Sequence, residues 1–197
     1  MNLSLTVSPD FIPSFFQFLQ CGIQTKAHVG CSIRSFLLDQ LRLTPEFIQT
    51  RIMTIFLDGK PIDNMDSAIL KDGCTLALSG AMPGLVGATM RMGSYYASFR
   101  SEISHREEES AAIAEGSIVL KLFNIVAREL GPTLLERGIC VKKKELEDFF
   151  KSYSTQYMQK CRQASLDGES INTHGPLEMG LLDQPTLIQL QVKEGDL

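Results

Sequence analysis

The chain has 197 residues, 44% of them hydrophobic and 21% charged, which supports a folded core and excludes general disorder. A net charge of −4 gives nucleic acid or an anionic membrane no electrostatic hold, so neither is expected as a partner. The five cysteines, Cys21, Cys31, Cys74, Cys140 and Cys161, are odd in number and form no CxxC pair, a pattern of free thiols in a reducing compartment and not of a disulfide frame or zinc site.

The start, MNLSLTVSPD, lacks a basic segment followed by a long apolar run, and no apolar stretch nears the ~20 residues that span a bilayer. A cytoplasmic protein is expected. Leu3, Leu5 and Val7 alternate with polar neighbours and read as a half-exposed strand. Ser8-Pro9-Asp10 reads as a helix start with proline in its first turn. Pro13 interrupts, and Phe15–Leu19 fits helix and strand alike. Ile23, Thr25, Ala27 and Val29 give a second strand between Gly22 and Gly30.

Ser32–Leu43 places Ile33, Phe36, Leu37 and Leu41 on one helical face, and Thr44-Pro45 closes it. The run Ile55-Phe56-Leu57 stops at Asp58-Gly59, a pair that tolerates positive φ. Asp72-Gly73 then opens Cys74–Leu78, where Leu76 and Leu78 alternate with small or polar residues. Between these strands Asp66–Leu70 is long enough only for a one-turn link. Gly80, Gly84, Gly87 and Gly93 make a glycine-rich exit.

This order, strand, strand, helix, strand, link, strand, resembles a ubiquitin-like β-grasp domain, in which one helix packs across a mixed sheet. The nearer likeness is to the small sulfur carriers of molybdopterin and thiamine synthesis. It is carried by Phe56-Leu57-Asp58-Gly59-Lys60-Pro61-Ile62-Asp63 and Leu70-Lys71-Asp72-Gly73-Cys74-Thr75-Leu76-Ala77-Leu78. The likeness is strongest over Thr54–Gly87 and extends in outline over residues 1–87. It implies a core of Ile33, Phe36, Leu37, Ile55, Leu57, Leu76 and Leu78.

After Gly87 the pattern turns helical. Tyrosines and Phe99 recur at roughly helical spacing from Ala88 to Ile103. Ser104-His105-Arg106-Glu107 fits a capping box, and Glu107–Leu130 reads as one helix with Val119, Leu122, Phe123, Val126 and Leu130 on its buried face. Gly131-Pro132 ends it; a short turn, Thr133–Arg137, leads to the extended Ile139–Val141. Leu146, Phe149, Phe150, Tyr153 and Tyr157 mark a further helix over Lys142–Arg162. Ala164–Pro185 reads as loop, and Ile188, Leu190 and Val192 as a last strand. The expected architecture is α+β: a β-grasp domain over 1–87 and a mainly helical extension over 88–197 that ends in a short strand.

The chemistry available is sparse. In sulfur carriers a diglycine tail is adenylated at its terminal carboxylate; here Gly84 and Gly87 hold the corresponding region, but no Gly-Gly is present and the chain continues to residue 197. Gly80, Gly84 and Gly87 also lack the Gly-Lys-Ser/Thr of a phosphate loop. His105 and Glu109, four apart on the expected helix, need further donors before they hold a metal. Cys74, Cys140 and Cys161 read as buried thiols, with His174 too remote in sequence to make a catalytic pair by spacing. Lys142-Lys143-Lys144 reads as a solvated helix start.

The leading expectation is a non-enzymatic interaction module that binds another protein, with Gly80, Gly84, Gly87 and Arg91 as candidate binding residues and no cofactor, metal or catalytic group. Two alternatives stand beside it. One is a sulfur or modifier carrier matured by proteolysis near Gly84 or Gly87. The other is a small enzyme built on the loop 80–93 with Tyr95, Tyr96 and Arg100.

Overall fold

The computed structural model describes residues 1–100, 112–173 and 187–195. In chain order, β1 (Asn2–Val7) leads through a 3₁₀ turn, Pro9–Phe15, into α1 (Phe16–Cys21) and β2 (Ile23–Val29). Next comes α2 (Ile33–Ser35), capped by the Ser32 hydroxyl, which accepts from the Ser35 amide at 3.2 Å. It continues as a π-turn over Phe36–Gln40, so that Phe36 and Leu37 face the core. Thr44 caps α3 (Pro45–Arg51), where proline occupies a first-turn position that needs no donor. Then come β3 (Thr54–Leu57), the two-residue β4 (Lys60–Pro61), β5 (Thr75–Ser79) and α4 (Gly84–Met90).

A 3₁₀ turn, Tyr95–Arg100, precedes β6 (Ala114–Phe123), α5 (Asn124–Arg137) and β7 (Ile139–Lys142). The chain then forms α6 (Lys143–Ser152), α7 (Ser154–Lys160), β8 (Cys161–Leu166), β9 (Glu169–Ile171) and β10 (Leu187–Glu194). The protein is thus mixed α and β, with parallel and antiparallel strand pairs.

These elements pack as two compact units: an interior unit, Leu19–Glu129, and a terminal unit, Met1–Phe18 with Leu130–Leu197. The sequence grouped 1–87 and 88–197; the units differ from that because β1 finds its neighbours near the other end of the chain. In the interior unit the strand order is β2-β6-β5-β3-β4. The pairs run antiparallel, parallel, antiparallel and antiparallel in turn. In the terminal unit the order is β7-β10-β1-β8-β9, and its pairs follow the same succession of directions. Each unit also has helices between corresponding strands: α2 and α3 between β2 and β3, α6 and α7 between β7 and β8.

The core expected around the first helix is present. Ile33, Phe36, Leu37, Ile55, Leu57, Leu76 and Leu78 are all buried in the interior unit, and β3 pairs with β5 from Thr54–Ser79 to Leu57–Leu76. The terminal unit buries Leu3, Leu5 and Val7 of β1 and holds a ring cluster of Phe11, Phe15, Phe18, Phe149 and Phe150. Phe149 sits at its centre, 4.6 Å from Phe15 and 5.2 Å from Phe18 between centroids.

Three sequence expectations need correction. The segment after residue 88 is not mainly helical, since it supplies β6 to β10. Ala164–Pro185 is not all loop, since β8 and β9 occupy its first part. Most consequentially, Glu107–Leu130 is not one helix: Ala114–Phe123 is a strand and the helix begins at Asn124 and runs through Pro132. The residues satisfy two periods at once. Val119, Leu122, Phe123 and Val126 recur as a helix face would, while Ile118, Leu120 and Leu122 alternate as a strand would. The second period prevails because β2 and β5 leave a slot between them that a strand fills with backbone bonds on both sides. The capping box at Ser104–Glu107 lies outside the described residues.

The strand assignment has a measurable consequence. Leu120 and Leu122 are fully enclosed, whereas Phe123 at the strand end is half-buried. Leu120→Ala is expected to lower stability by about 2–5 kcal/mol and Phe123→Ala by distinctly less, read from urea unfolding midpoints. Equal losses would indicate a helical face instead.

Candidate functional site

The interior unit carries an excursion between β5 and β6 that returns on itself. Gly80 closes β5 in a buried position facing Ile125, and Ala81–Pro83 turns into α4. Gly84 opens that helix at φ +76°, a backbone conformation that glycine adopts without steric cost. Gly87 is buried in the helix, and a Cβ there would strike the Met82 backbone, so the turn before α4 closes only over a glycine. Gly80 thus ends the strand, and Gly84 and Gly87 shape the turn into α4. Arg91 follows at the end of α4, exposed, with its amide donating to the Gly87 carbonyl at 3.1 Å.

The returning limb is held by one buried cation. Arg100 is 2% exposed and forms a bidentate pair with Asp63, Nη1 to Oδ2 at 2.9 Å and Nη2 to Oδ1 at 2.6 Å. Its Nε donates to the Thr89 carbonyl at 2.7 Å, which ties α4 to the same guanidinium. Asp63 Oδ1 also accepts from the Gly93 amide at 3.1 Å. The Met92 amide bonds the Met53 carbonyl at 2.9 Å, fastening the middle of the excursion beside β3. Asp63 closes the run Phe56–Asp63, but nothing in the sequence tied it to Arg100, 37 residues on. The available signal was a single arginine ending the apolar run Tyr95–Phe99.

What this clamp presents to solvent is apolar. Leu85 and Val86 on α4 are 71% and 70% exposed; Tyr95 and Phe99 on the returning limb are 88% and 77% exposed. Tyr96 bridges the aromatic pair, edge-on to Tyr95 and stacked with Phe99. Beneath Arg91 lies a groove of about 410 Å³ shared by the excursion, α3 and the segment around Met65. Its inner surface includes Ile48, Ile52, Met53, Met65 and Met92.

Other candidates disperse. A second hollow, about 730 Å³, lies over β2 and β6 among Lys26, His28, Asp39, Arg42 and Glu115, groups of both signs. The Gln40 side chain is spent there on the His28 backbone, accepting at 2.8 Å and donating at 3.0 Å. Tyr95, Tyr96 and Arg100 do not form a reactive cluster, because Arg100 is turned inward to Asp63 while Tyr95 faces solvent. Burial pushes the Cys74 and Cys161 thiols above their ordinary range, which keeps them protonated and poorly nucleophilic. Cys140 is half-buried in β7. His105, Glu109 and His174 lie outside the described residues; among the described ones no group of three or more His, Cys, Asp or Glu is placed to hold a metal. Lys142 and Lys143 at the start of α6 each meet an acid one turn on, Glu145 and Glu147.

Among the described residues no helix is long and apolar enough to cross a membrane. Compared with protein-family models, curated proteins and solved structures, the chain matches none.

Proposed function

We propose that the chain is a non-enzymatic, ubiquitin-like interaction protein that docks another protein on the excursion between β5 and β6. The β-grasp part of this reading is supported by the strand order. In a β-grasp sheet two parallel strands lie at the centre, each with an antiparallel neighbour, and a helix connects one flank to the other. The interior unit has this arrangement with β6 and β5 at its centre, and the terminal unit has it with β10 and β1. Each is a permuted version: the central β6 comes after the other interior strands in sequence, and the central β1 before the other terminal ones.

The observation that carries the docking reading is a rigidly held apolar surface. Leu85, Val86, Tyr95 and Phe99 are at least 70% exposed, on a segment pinned by an arginine that is 2% exposed. Leaving such side chains in water forgoes roughly 1.5–3 kcal/mol each, which a partner recovers by covering them. The sheet edge offers less. β4 is two residues long and one of them is Pro61, which has no amide to donate, so strand addition there is blunted. The sulfur-carrier alternative loses ground on the same structure, since cleavage at Gly84 or Gly87 would remove β6 from the centre of the interior unit.

Photo-crosslinking tests the docking surface. With p-benzoylphenylalanine in place of Tyr95, irradiated in cells that naturally make the protein, one discrete heavier adduct is expected. The adduct should vanish when Leu85 and Phe99 are both replaced by aspartate. The same probe at Lys193, exposed on β10, should give none. Equal adducts from both positions, or none from position 95, would overturn the proposal.

A further inference from the structure

We infer that the groove beneath Arg91 is a peptide-binding site, which takes an apolar side chain of a partner segment and pairs the carboxylate of a neighbouring Asp or Glu with Arg91. The inference rests on the docking reading above and adds the chemistry of what docks. Ile48, Ile52 and Met65 are each under a tenth exposed and make an apolar floor. Met53 and Met92, half-buried, line it beside them. Three thioether side chains in one groove give a soft, adaptable lining that conforms to Leu, Ile, Met or Phe without demanding one shape. At about 410 Å³ the groove is within the range of ligand sites and larger than a single side chain requires.

Charge selects the rest of the ligand. Among the described residues that line the groove, Arg34 and Arg91 are the charged ones and none is a carboxylate. Arg34 is already matched by Asp66, Nε to Oδ1 at 2.6 Å, and its amide bonds the Met65 carbonyl. Among the described residues the Arg91 guanidinium has no carboxylate partner, although its backbone is fixed by the Gly87 carbonyl. A cation with no carboxylate partner among the described residues, set beside an apolar floor, favours an anionic, apolar occupant over a neutral or basic one. A segment of a protein is the form of that chemistry suited to a groove one of whose lining residues, Arg91, directly follows α4, which exposes Leu85 and Val86. Those side chains give flanking residues of a peptide further apolar surface to cover.

Selection of phage-displayed random peptides on the full-length chain tests this. The expected yield is peptides with Leu, Ile, Met or Phe within two positions of an Asp or Glu. The most enriched sequence is then synthesised with a fluorescent label and titrated by anisotropy. Arg91→Glu, or replacement of the peptide's acid by its amide, should each weaken binding by about tenfold or more. Gln49→Trp, an exposed position at the rim, should also block binding while leaving the thermal midpoint unchanged. In protein labelled with ¹³C at the methionine methyls, the peptide should shift Met53, Met65 and Met92 together.

Several results would overturn the groove assignment. One is enrichment of peptides without acids. Another is binding that ignores Arg91→Glu and Gln49→Trp but disappears in Phe99→Asp; that outcome removes the groove and leaves the aromatic docking surface standing. Failure to enrich any peptide overturns the groove site, while the crosslink from position 95 independently decides the docking reading. Shifts of the same methyls by decanoate at lower concentration than the peptide would assign the groove to a small lipid. Shifts that follow protein concentration, with a doubled mass in solution, would assign it to a second copy.

Discussion

A chain ending at Gly87 is expected to show no cooperative unfolding transition at all. That truncation retains every residue of the segment resembling a sulfur carrier, yet it deletes β6. β6 pairs with β2 from Ile23–Leu120 to Val29–Ala114 and with β5 from Thr75–Val119 to Ser79–Phe123. Losing it leaves two strands with unpaired backbone in the middle of a sheet and removes Ile118, Leu120 and Leu122, each at most 1% exposed. Large-to-small changes at such sites cost about 2–5 kcal/mol apiece, and three together are comparable to the roughly 5–15 kcal/mol that stabilises a whole domain. The measurement is circular dichroism of residues 1–87 through a urea titration. A sigmoidal transition from a folded baseline would show that β6 is dispensable and favour the carrier alternative. Intact mass of the protein from its native cells gives the same decision independently: a species that continues past Gly87 through β10 is expected, and a dominant species ending at Gly84 or Gly87 would contradict it.

Asp63→Ala is expected to be the most damaging single substitution among the surface-accessible acids, at about 3 kcal/mol. The Asp63 side chain is 41% exposed and reads as a solvated loop residue, but it supplies both oxygens of the pair to an arginine whose side chain is 1% exposed. Removing it leaves a buried guanidinium without the carboxylate that takes two of its N–H groups. The Gly93 amide loses its acceptor as well. Arg100→Met in the same background should recover part of the loss, because an apolar chain of similar length needs no counter-charge. Urea midpoints for the two single variants and the double variant measure the coupling. Asp63→Ala should also abolish the crosslink from position 95, since the excursion is then no longer held in place. Additive losses with an undiminished crosslink would show that the pair is an incidental surface contact.

How much of this was legible in the sequence follows from how local each determinant is. The Asp58-Gly59 and Asp72-Gly73 turns and the alternation at Leu76 and Leu78 are decided within a few residues, and β3 and β5 form where they point. The Ile33, Phe36 and Leu37 face is also read correctly, although its helix tightens and then widens into a π-turn at Phe36–Gln40. β1 is legible as a strand from Leu3, Leu5 and Val7. Its partners are not, because Leu190 and Ala164 are remote and no short-range pattern names them. β6 was misread because its residues satisfy both periods and the choice is made by β2 and β5. At the candidate site the glycine bend is visible in the sequence, but the reason for Gly87, the approach of the Met82 backbone, is not. Asp63 with Arg100, and the meeting of Met53, Met65 and Met92, depend on contacts between residues tens of positions apart.

The pairing of β1 with β10 also sets a timetable for synthesis. Chains emerge N-terminus first at about 5–20 residues per second, so the order of strands in sequence becomes an order in time. The interior unit can close once Glu129 has left the ribosome, since β2, β5 and β6 are then all available. β1 is made before any of them and must wait longest: Ser4 meets Gln191, 187 residues later. Until β8 emerges, Leu3, Leu5 and Val7 are an apolar strand with neither neighbour in place, and until β10 emerges they have only one. A loop of that length adds little to the equilibrium cost but slows closure, because ring entropy must be lost before the pairing returns anything. The terminal unit therefore closes only after β10 has been made, later than the interior unit.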